Sequence, residues 1–124
     1  MAMDGAPVIA MHRNLYWMTK DGLQLDTGAF VGVIEQAAGI EVSVTGMPSP
    51  ACFEGALEML DLAPEEVAMV GDDLYTDVLG AQAMGIEGVL VRTGKFREET
   101  LAGSNLSPNH VVDSFADLPA LLEL

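Results

Sequence analysis

The chain has 124 residues, of which 50% are hydrophobic and 6% aromatic, and this predicts about one globular domain with a core of aliphatic and methionine side chains. Nineteen acidic and five basic residues give a formal charge of −14, which argues against nucleic acid or an anionic membrane as a partner because both repel such a surface. The single cysteine excludes an internal disulfide and, with no signal-like amino terminus, predicts a cytoplasmic protein.

The first forty residues predict short strands followed by one helix. An apolar segment at 7–11 is predicted to be a strand, with 15–18 as its hairpin partner. Within that partner, the Tyr16-Trp17 pair is interpreted as packing of the hairpin, with a substrate-facing patch as the alternative. A helix is predicted over 29–38. Its buried face is expected to contain Phe30, Ile34, Ala37 and Ala38.

Beyond residue 40, predicted strands and helices alternate. Helices are expected from Ser49-Pro50, an N-cap followed by proline in the first turn, and over 76–84 and 114–122. The run at 67–70 is apolar throughout, which predicts a strand buried on both faces of a parallel sheet. The other predicted strands lie at 41–45, 88–92 and 110–112. This order indicates an open α/β sheet, in which ligands bind beyond the carboxyl ends of the strands.

Three loops follow predicted strands and should meet at one edge of the sheet, at 45–49, 71–73 and 93–95. In the middle loop, Gly71 permits a sharp turn and Asp72 follows the strand directly. Asp77 lies in the first turn of the next helix, so its carboxylate can converge with that of Asp72. Carboxylates with water suit Mg²⁺, which predicts a magnesium site here. Asp73 is a third candidate ligand, with capping of the helix as its alternative role.

Three longer runs carry a family resemblance. They are VAMVGDDLYTDVLGAQAMGIEGVLVRTGKF, GMPSPACFEGALEML and LQLDTGAFVGVIEQAAGIEVSV. The first resembles the fourth motif and the following strand of the haloacid dehalogenase (HAD) superfamily of phosphohydrolases. The second resembles the family's Gly-Lys-Pro-Ser-Pro segment, and the third the stretch before it in the capped branch. That branch includes 4-nitrophenylphosphatase-like enzymes and phospholysine/phosphohistidine inorganic pyrophosphate phosphatase, to which the resemblance is strongest.

The resemblance implies an α/β, HAD-like (Rossmannoid) parallel-sheet half-domain. Residues 1–40 match a remnant of the cap domain, a hairpin and a helix, and 41–124 match the C-terminal half of the core. The resemblance also implies Mg²⁺ held by Asp72 and Asp77, and a phosphorylated small molecule or phosphoprotein as substrate. The residues that match loops around the family's phosphate pocket are Gly46, Ser49, Thr93, Gly94 and Lys95.

Most catalytic elements of the family are missing. Family phosphatases attack phosphorus with the first aspartate of an Asp-x-Asp motif, and this chain contains no Asp-x-Asp. The Ser/Thr of the second motif has no counterpart, and Met47 replaces a lysine that offsets phosphate charge. We therefore expect a phosphatase fragment that is inactive as a single chain. The alternatives are an active phosphatase completed by another chain or a longer parent gene, and a non-catalytic binding or assembly module.

The resemblance also implies a gap in the sheet. The family places two strands, including the nucleophile strand, between those at 41–45 and 67–70, and this chain has neither. The flanking strands either pair with each other or leave an apolar edge open. We expect an open edge to pair with a second copy of the chain in a symmetric homodimer.

Overall fold

The computed structural model describes residues 1–123, so Leu124, the last residue of the predicted core unit, lies outside the described part. The strands are β1 (Ile9–Ala10), β2 (Tyr16–Thr19), β3 (Gly22–Leu25), β4 (Ser43–Val44), β5 (Ala68–Gly71), β6 (Glu87–Val91) and β7 (His110–Val112). The helices are α1 (Thr27–Ala38), α2 (Pro50–Leu60), α3 (Gly80–Gln82), α4 (Glu98–Ala102) and α5 (Leu118–Leu121). Across residues 1–123, none of the helices combines the length and apolar character that crossing a bilayer requires.

Backbone pairing divides these strands among three sheets. A parallel sheet has the order β5-β6-β7, and Val89 at its centre is in register with Val70 on one side and His110 on the other. The strands β1 and β4 form a parallel pair, and β2 and β3 form an antiparallel hairpin. The predicted α/β architecture with a parallel sheet is thereby confirmed.

The predicted hairpin partner of the first strand is wrong. The segment at 7–11 does contain β1, but β1 pairs with β4, and Thr45 N–H extends that ladder by donating to Ala10 O over 3.0 Å. The segment at 15–18 contributes to β2, which pairs with β3 instead. The reason is local, because Asp21-Gly22 is a strong tight-turn sequence and Gly22 adopts a φ of +110°.

The predicted buried face of the first helix is also wrong. Val31 is 4% exposed, whereas Phe30 is 58% exposed. Val31 packs against Ala10 and Val42 in the cluster beneath β1 and β4. The helix turns this way because Gly28 meets the segment between β1 and β2 so closely that a Cβ there would overlap the Arg13 carbonyl. The buried face of α1 is therefore displaced by one residue from the predicted apolar stripe.

The strand buried on both faces is β6, not the run at 67–70. From Gly88 through Val91 every residue of β6 is buried, whereas Ala68 in β5 is exposed and Val70 is half-buried. In the part of the chain that the structure describes, β5 is an edge strand and has β6 as its one neighbour. Among the described residues, β4 and β5 lie in different sheets, so the strands that flank the implied gap do not pair with each other.

Candidate metal and phosphate site at the carboxyl end of β5

The acidic loop begins where β5 ends. Gly71 is followed by Asp72 and Asp73, and then by a π-helical turn, Leu74–Leu79, that leads into α3. Asp77 folds back from this turn onto the loop, so that its Oδ2 accepts a hydrogen bond from Asp73 N–H over 3.2 Å. A Cβ on residue 71 would overlap the Asp77 carboxylate, so glycine is needed for this approach. The helix predicted over 76–84 therefore starts earlier, at Leu74, and its first part is a π-helix.

Asp73 caps the π-helical turn, the alternative role suggested by its position in the sequence. Its Oδ1 accepts hydrogen bonds from the N–H groups of Tyr75 and Thr76, both over 3.1 Å. Its carbonyl accepts from Asp77 N–H at 3.2 Å and Val78 N–H at 3.3 Å. The second of these bonds spans five residues and creates the π geometry, which is rare in proteins. The other carboxylate oxygen of Asp73, Oδ2, pairs with the Lys95 ammonium.

The loop after β6 meets the acidic loop. Lys95 N–H donates to Asp72 Oδ2 over 2.7 Å, and the Lys95 side chain pairs with Asp73. Gly94 adopts a φ of +53°, and a Cβ there would overlap Asp72 Oδ2. Thr93 is exposed, and its carbonyl accepts from Phe96 N–H over 3.0 Å. Two of the three predicted loops therefore come together at this edge.

The third predicted loop, at 45–49, packs against the hydrophobic core instead. Met47 packs against the cluster formed by Phe53, Ala81 and Ile86, so its thioether lies in an apolar environment. Gly46 lies directly against the Met11 carbonyl. Ser49 occupies the N-cap position of α2 as predicted, but its side chain makes no capping hydrogen bond.

Side chains from the amino-terminal segment complete the surroundings of Lys95. The Tyr16 ring centroid lies 5.0 Å from Lys95 Nζ, within the range of a cation–π interaction. A cavity of about 30 Å³ and a wider cleft of about 450 Å³ flank this contact. The wider cleft is lined by Arg13, Asn14, Leu15, Tyr16, Asp73, Tyr75, Thr76, Lys95 and Thr100.

Arg13 and Asn14 in this cleft were not singled out from the sequence. Arg13 pairs with Glu35 on α1, and Asn14 Oδ1 is buried without a hydrogen-bond partner in the described part of the chain. The one available signal was that Arg13 is one of five basic residues in a strongly acidic chain. Arg13 lies far from the acidic loop along the chain, so the sequence did not indicate that the two are close in the structure.

The pKa values of Asp73 and Asp77 are shifted in opposite directions. Burial by itself raises the pKa of Asp73, but the Lys95 ammonium and the Thr76 N–H outweigh that effect and hold the pKa below its ordinary value. Burial also raises the pKa of Asp77, and the nearby charges of Asp73 and Asp72 add to the increase. The hydrogen bond from Asp73 N–H offsets part of this increase. Negative charge is therefore less well compensated at Asp77 than at Asp73.

Within residues 1–123, no group of three or more histidine, cysteine, aspartate or glutamate side chains is arranged to hold a metal ion. Asp73 is paired with the Lys95 ammonium, whereas Asp72 and Asp77 accept hydrogen bonds but form no ion pair within the described residues, so these two carboxylates have the charge suited to a cation. Their hard oxygen donors match the preference of Mg²⁺, which usually takes one or two carboxylates and keeps several waters.

Comparisons with known proteins agree on one family. A HAD-hydrolase-like family model matches residues 44–118. Haloacid dehalogenase-like hydrolase domain-containing protein 2 of Mus musculus is 43% identical over 115 residues, which cover 93% of this chain and 44% of that protein. Phospholysine phosphohistidine inorganic pyrophosphate phosphatase of Bos taurus is 35% identical over 122 residues, which cover 98% of this chain and 45% of that protein.

A solved structure gives the same result in three dimensions. Glycerol phosphate phosphatase of Mycobacterium tuberculosis, in complex with magnesium, superimposes with a TM-score of 0.78 and 28% identity over 94% of this chain. The match covers 35% of that protein. This chain thus spans less than half the length of these relatives.

Proposed function

The chain belongs to the HAD-like hydrolase family, as the resemblance predicted, and from this premise we propose that it forms the acidic, Mg²⁺-binding half of a phosphatase site without hydrolytic activity of its own. The observation that carries the proposal is the convergence of Asp72, Asp77 and the Lys95 loop at the end of β5. The chain offers no Asp-x-Asp nucleophile to act with them. Met47, at the position of the family lysine, packs into the core.

The chemistry of the acidic loop supports a divalent cation as its ligand. Asp72 and Asp77 supply hard oxygen donors, and Gly71 and Gly94 leave room where a Cβ would overlap those carboxylates. We assign Asp73, the third predicted ligand, to orienting the loop, because its charge is already paired with the Lys95 ammonium and its other oxygen caps the helical turn. When bound, Mg²⁺ offsets the charge of a phosphate group.

We further propose that another segment completes the site, either from a longer parent protein or from a separate chain. Two features support this proposal. β5 has an open edge and lies in a different sheet from β4, and the relatives are more than twice as long as the matched region. Substrates of the completed site would be phosphorylated small molecules or phosphoproteins. The phosphatase names of the bovine and mycobacterial relatives support this class of substrate.

Split complementation tests the proposed function. We expect no Mg²⁺-dependent hydrolysis of 4-nitrophenyl phosphate by the chain alone, and hydrolysis after mixing with an amino-terminal HAD half that carries Asp-x-Asp. Replacing the first aspartate of that motif by asparagine, or Asp72→Ala here, should abolish turnover. Turnover by the chain alone that Asp72→Ala removes would disprove the absence of a nucleophile. A stable but inactive complex would favour the non-catalytic binding module.

We also propose that the chain works as a homodimer in the cytoplasm. The hairpin region and α1 leave large apolar side chains exposed, which favours burial against a second copy. They are Leu15, Trp17, Leu23, Leu25, Phe30 and Val33. The free thiol of Cys52 suits a reducing compartment.

A further inference from the structure

Lys95 is held at the acidic loop by both its backbone and its side chain. Its N–H donates to Asp72 Oδ2 over 2.7 Å, and its ammonium pairs with Asp73 Oδ2. The Lys95 side chain is 12% exposed, compared with 41% for Arg13 and 90% for Lys20 in their own ion pairs. The least exposed of these three cations therefore lies where the acidic side chains converge.

Tyr16 limits where this ammonium can go. Its ring centroid lies 5.0 Å from Lys95 Nζ, and the same nitrogen pairs with the Asp73 carboxylate. An ammonium that is partly removed from water gains from both contacts, and losing either one leaves the charge less well compensated. Tyr16 is therefore a positioning residue for Lys95.

The ammonium and the candidate metal ligands belong to one cluster of charges. Its partner Asp73 is adjacent in sequence to Asp72, and Asp77 contacts the Asp73 backbone directly. Three carboxylates and one ammonium leave a local formal charge of −2, from the residues themselves. A divalent ion at Asp72 and Asp77 would be attracted by these carboxylates and repelled by the ammonium, and solvent would screen the repulsion only in part because these side chains are half-buried.

We propose that Lys95 is a built-in counter-ion of the acidic loop, which stabilises the loop in the absence of a metal and lowers the affinity of Asp72 and Asp77 for Mg²⁺. This inference rests on the proposed magnesium site. It assigns to Lys95 an effect on affinity through its charge, separate from the structural effect of its N–H. Removing one unit charge within several ångströms of a divalent ion should strengthen binding by about tenfold in a partly screened site.

The test is a Mg²⁺ titration followed by calorimetry and by the amide NMR signals of the acidic loop. Lys95→Met removes the charge and should bind Mg²⁺ about tenfold more tightly than the unmodified chain. Lys95→Gln keeps a donor for Asp73 and guards against a folding defect in the methionine variant. Lys95→Arg keeps the charge and should bind as the unmodified chain does. Lys20→Met removes the same charge from an exposed site and should change nothing.

The outcomes separate the two proposals. Equal or weaker binding by both uncharged Lys95 variants, beside a normal response of the unmodified chain, overturns the counter-ion and leaves the magnesium site intact. Binding that emerges solely after the charge is removed supports the counter-ion and refutes magnesium binding by the unmodified chain. No response in any variant overturns both. Adding Asp72→Asn to an uncharged Lys95 variant must abolish the tighter Mg²⁺ binding. Tight binding that survives this change would come from another site and would overturn the inference.

Discussion

Asp77 Oδ2 accepts a hydrogen bond from Asp73 N–H across 3.2 Å, so the side chain at the end of the acidic motif is held by the backbone at its beginning. This contact brings Asp77 close to two other carboxylates. Burial, opposed in part by this hydrogen bond and reinforced by the charges of Asp73 and Asp72, raises the pKa of Asp77. The Asp77 carboxylate therefore lowers the stability of the folded chain at neutral pH.

Asp77→Asn should stabilise the chain at neutral pH and remove its response to Mg²⁺. Because the folded-state pKa is raised, the Asp77 carboxyl destabilises the fold as pH rises from the unfolded value, about 4, through the folded value. Removing that charge should increase the free energy of unfolding by roughly 1 kcal/mol or less at pH 7, because solvent screens part of the repulsion. Urea unfolding at pH 4 to 7 measures this difference.

The matched control for that prediction is Asp21→Asn in the hairpin turn, where the side chain is 71% exposed and should contribute little. A decrease in stability for Asp77→Asn at pH 7 would mean that the carboxylate's hydrogen bonds outweigh the charge repulsion. Asp73 should behave in the opposite sense, since its pKa is lowered and its stabilising contribution is lost as pH falls through the folded value.

Gly94→Ala should destabilise the chain and displace Asp72. Alanine is strained at a φ of +53°, and its Cβ would overlap Asp72 Oδ2. We expect a loss of about 1–3 kcal/mol in the free energy of unfolding, together with a shifted Lys95 amide signal. Gly32→Ala is the control, because Gly32 lies in helix α1 and a Cβ there meets no atom within 4 Å. Equal stability of both variants would contradict the close approach at Gly94.

Met47→Lys should fail to restore phosphatase activity and should cost stability. The half-buried Met47 side chain packs against Phe53 and Ala81, so an ammonium there must lose part of its hydration or force the loop outward. A loss of about 1–3 kcal/mol is expected from denaturant unfolding. Met59→Lys is the control, since Met59 is 90% exposed. Magnesium-dependent turnover by Met47→Lys would contradict the absence of a nucleophile in this chain.

The chain should elute and scatter light as a dimer at tens of micromolar and moderate salt. Burial of about 800 Å² per partner suffices for a stable interface, and moderate salt screens the charge repulsion between copies. The double variant Trp17→Lys/Phe30→Lys should shift the mass to that of a monomer, although its net charge is less negative. Met59→Lys should leave the dimer intact. A monomer mass for the unmodified chain would refute the homodimer.

The acidic loop could be located from the sequence because its signals are local. A glycine and two aspartates after an apolar run specify a strand end followed by a tight turn, and that is where β5 ends. The approach of Lys95 to Asp72 followed from topology, since the carboxyl ends of parallel neighbours share one edge. The capping role of Asp73 was among the alternatives because this residue lies directly before the predicted helix.

Features that depend on distant contacts could not be predicted in this way. The buried face of α1 is set by the approach of Gly28 to the Arg13 carbonyl, and apolar periodicity contains no information about that contact. The pairing of β1 with β4 joins residues more than thirty positions apart. Arg13 and Asn14 reach the cleft beside Lys95 through the path of the chain between β1 and β2, which no motif specifies.

The division of the backbone ladder among three sheets gives different parts of the molecule different rates of amide hydrogen exchange. β1 and β4 are joined through two residue pairs, so this ladder should open often and exchange quickly. β6 has partners on both sides and is buried from Gly88 to Val91, so its amides should exchange through the rarest openings. Because β5 is attached to β6, the acidic loop can keep its shape while the amino-terminal pair opens and closes.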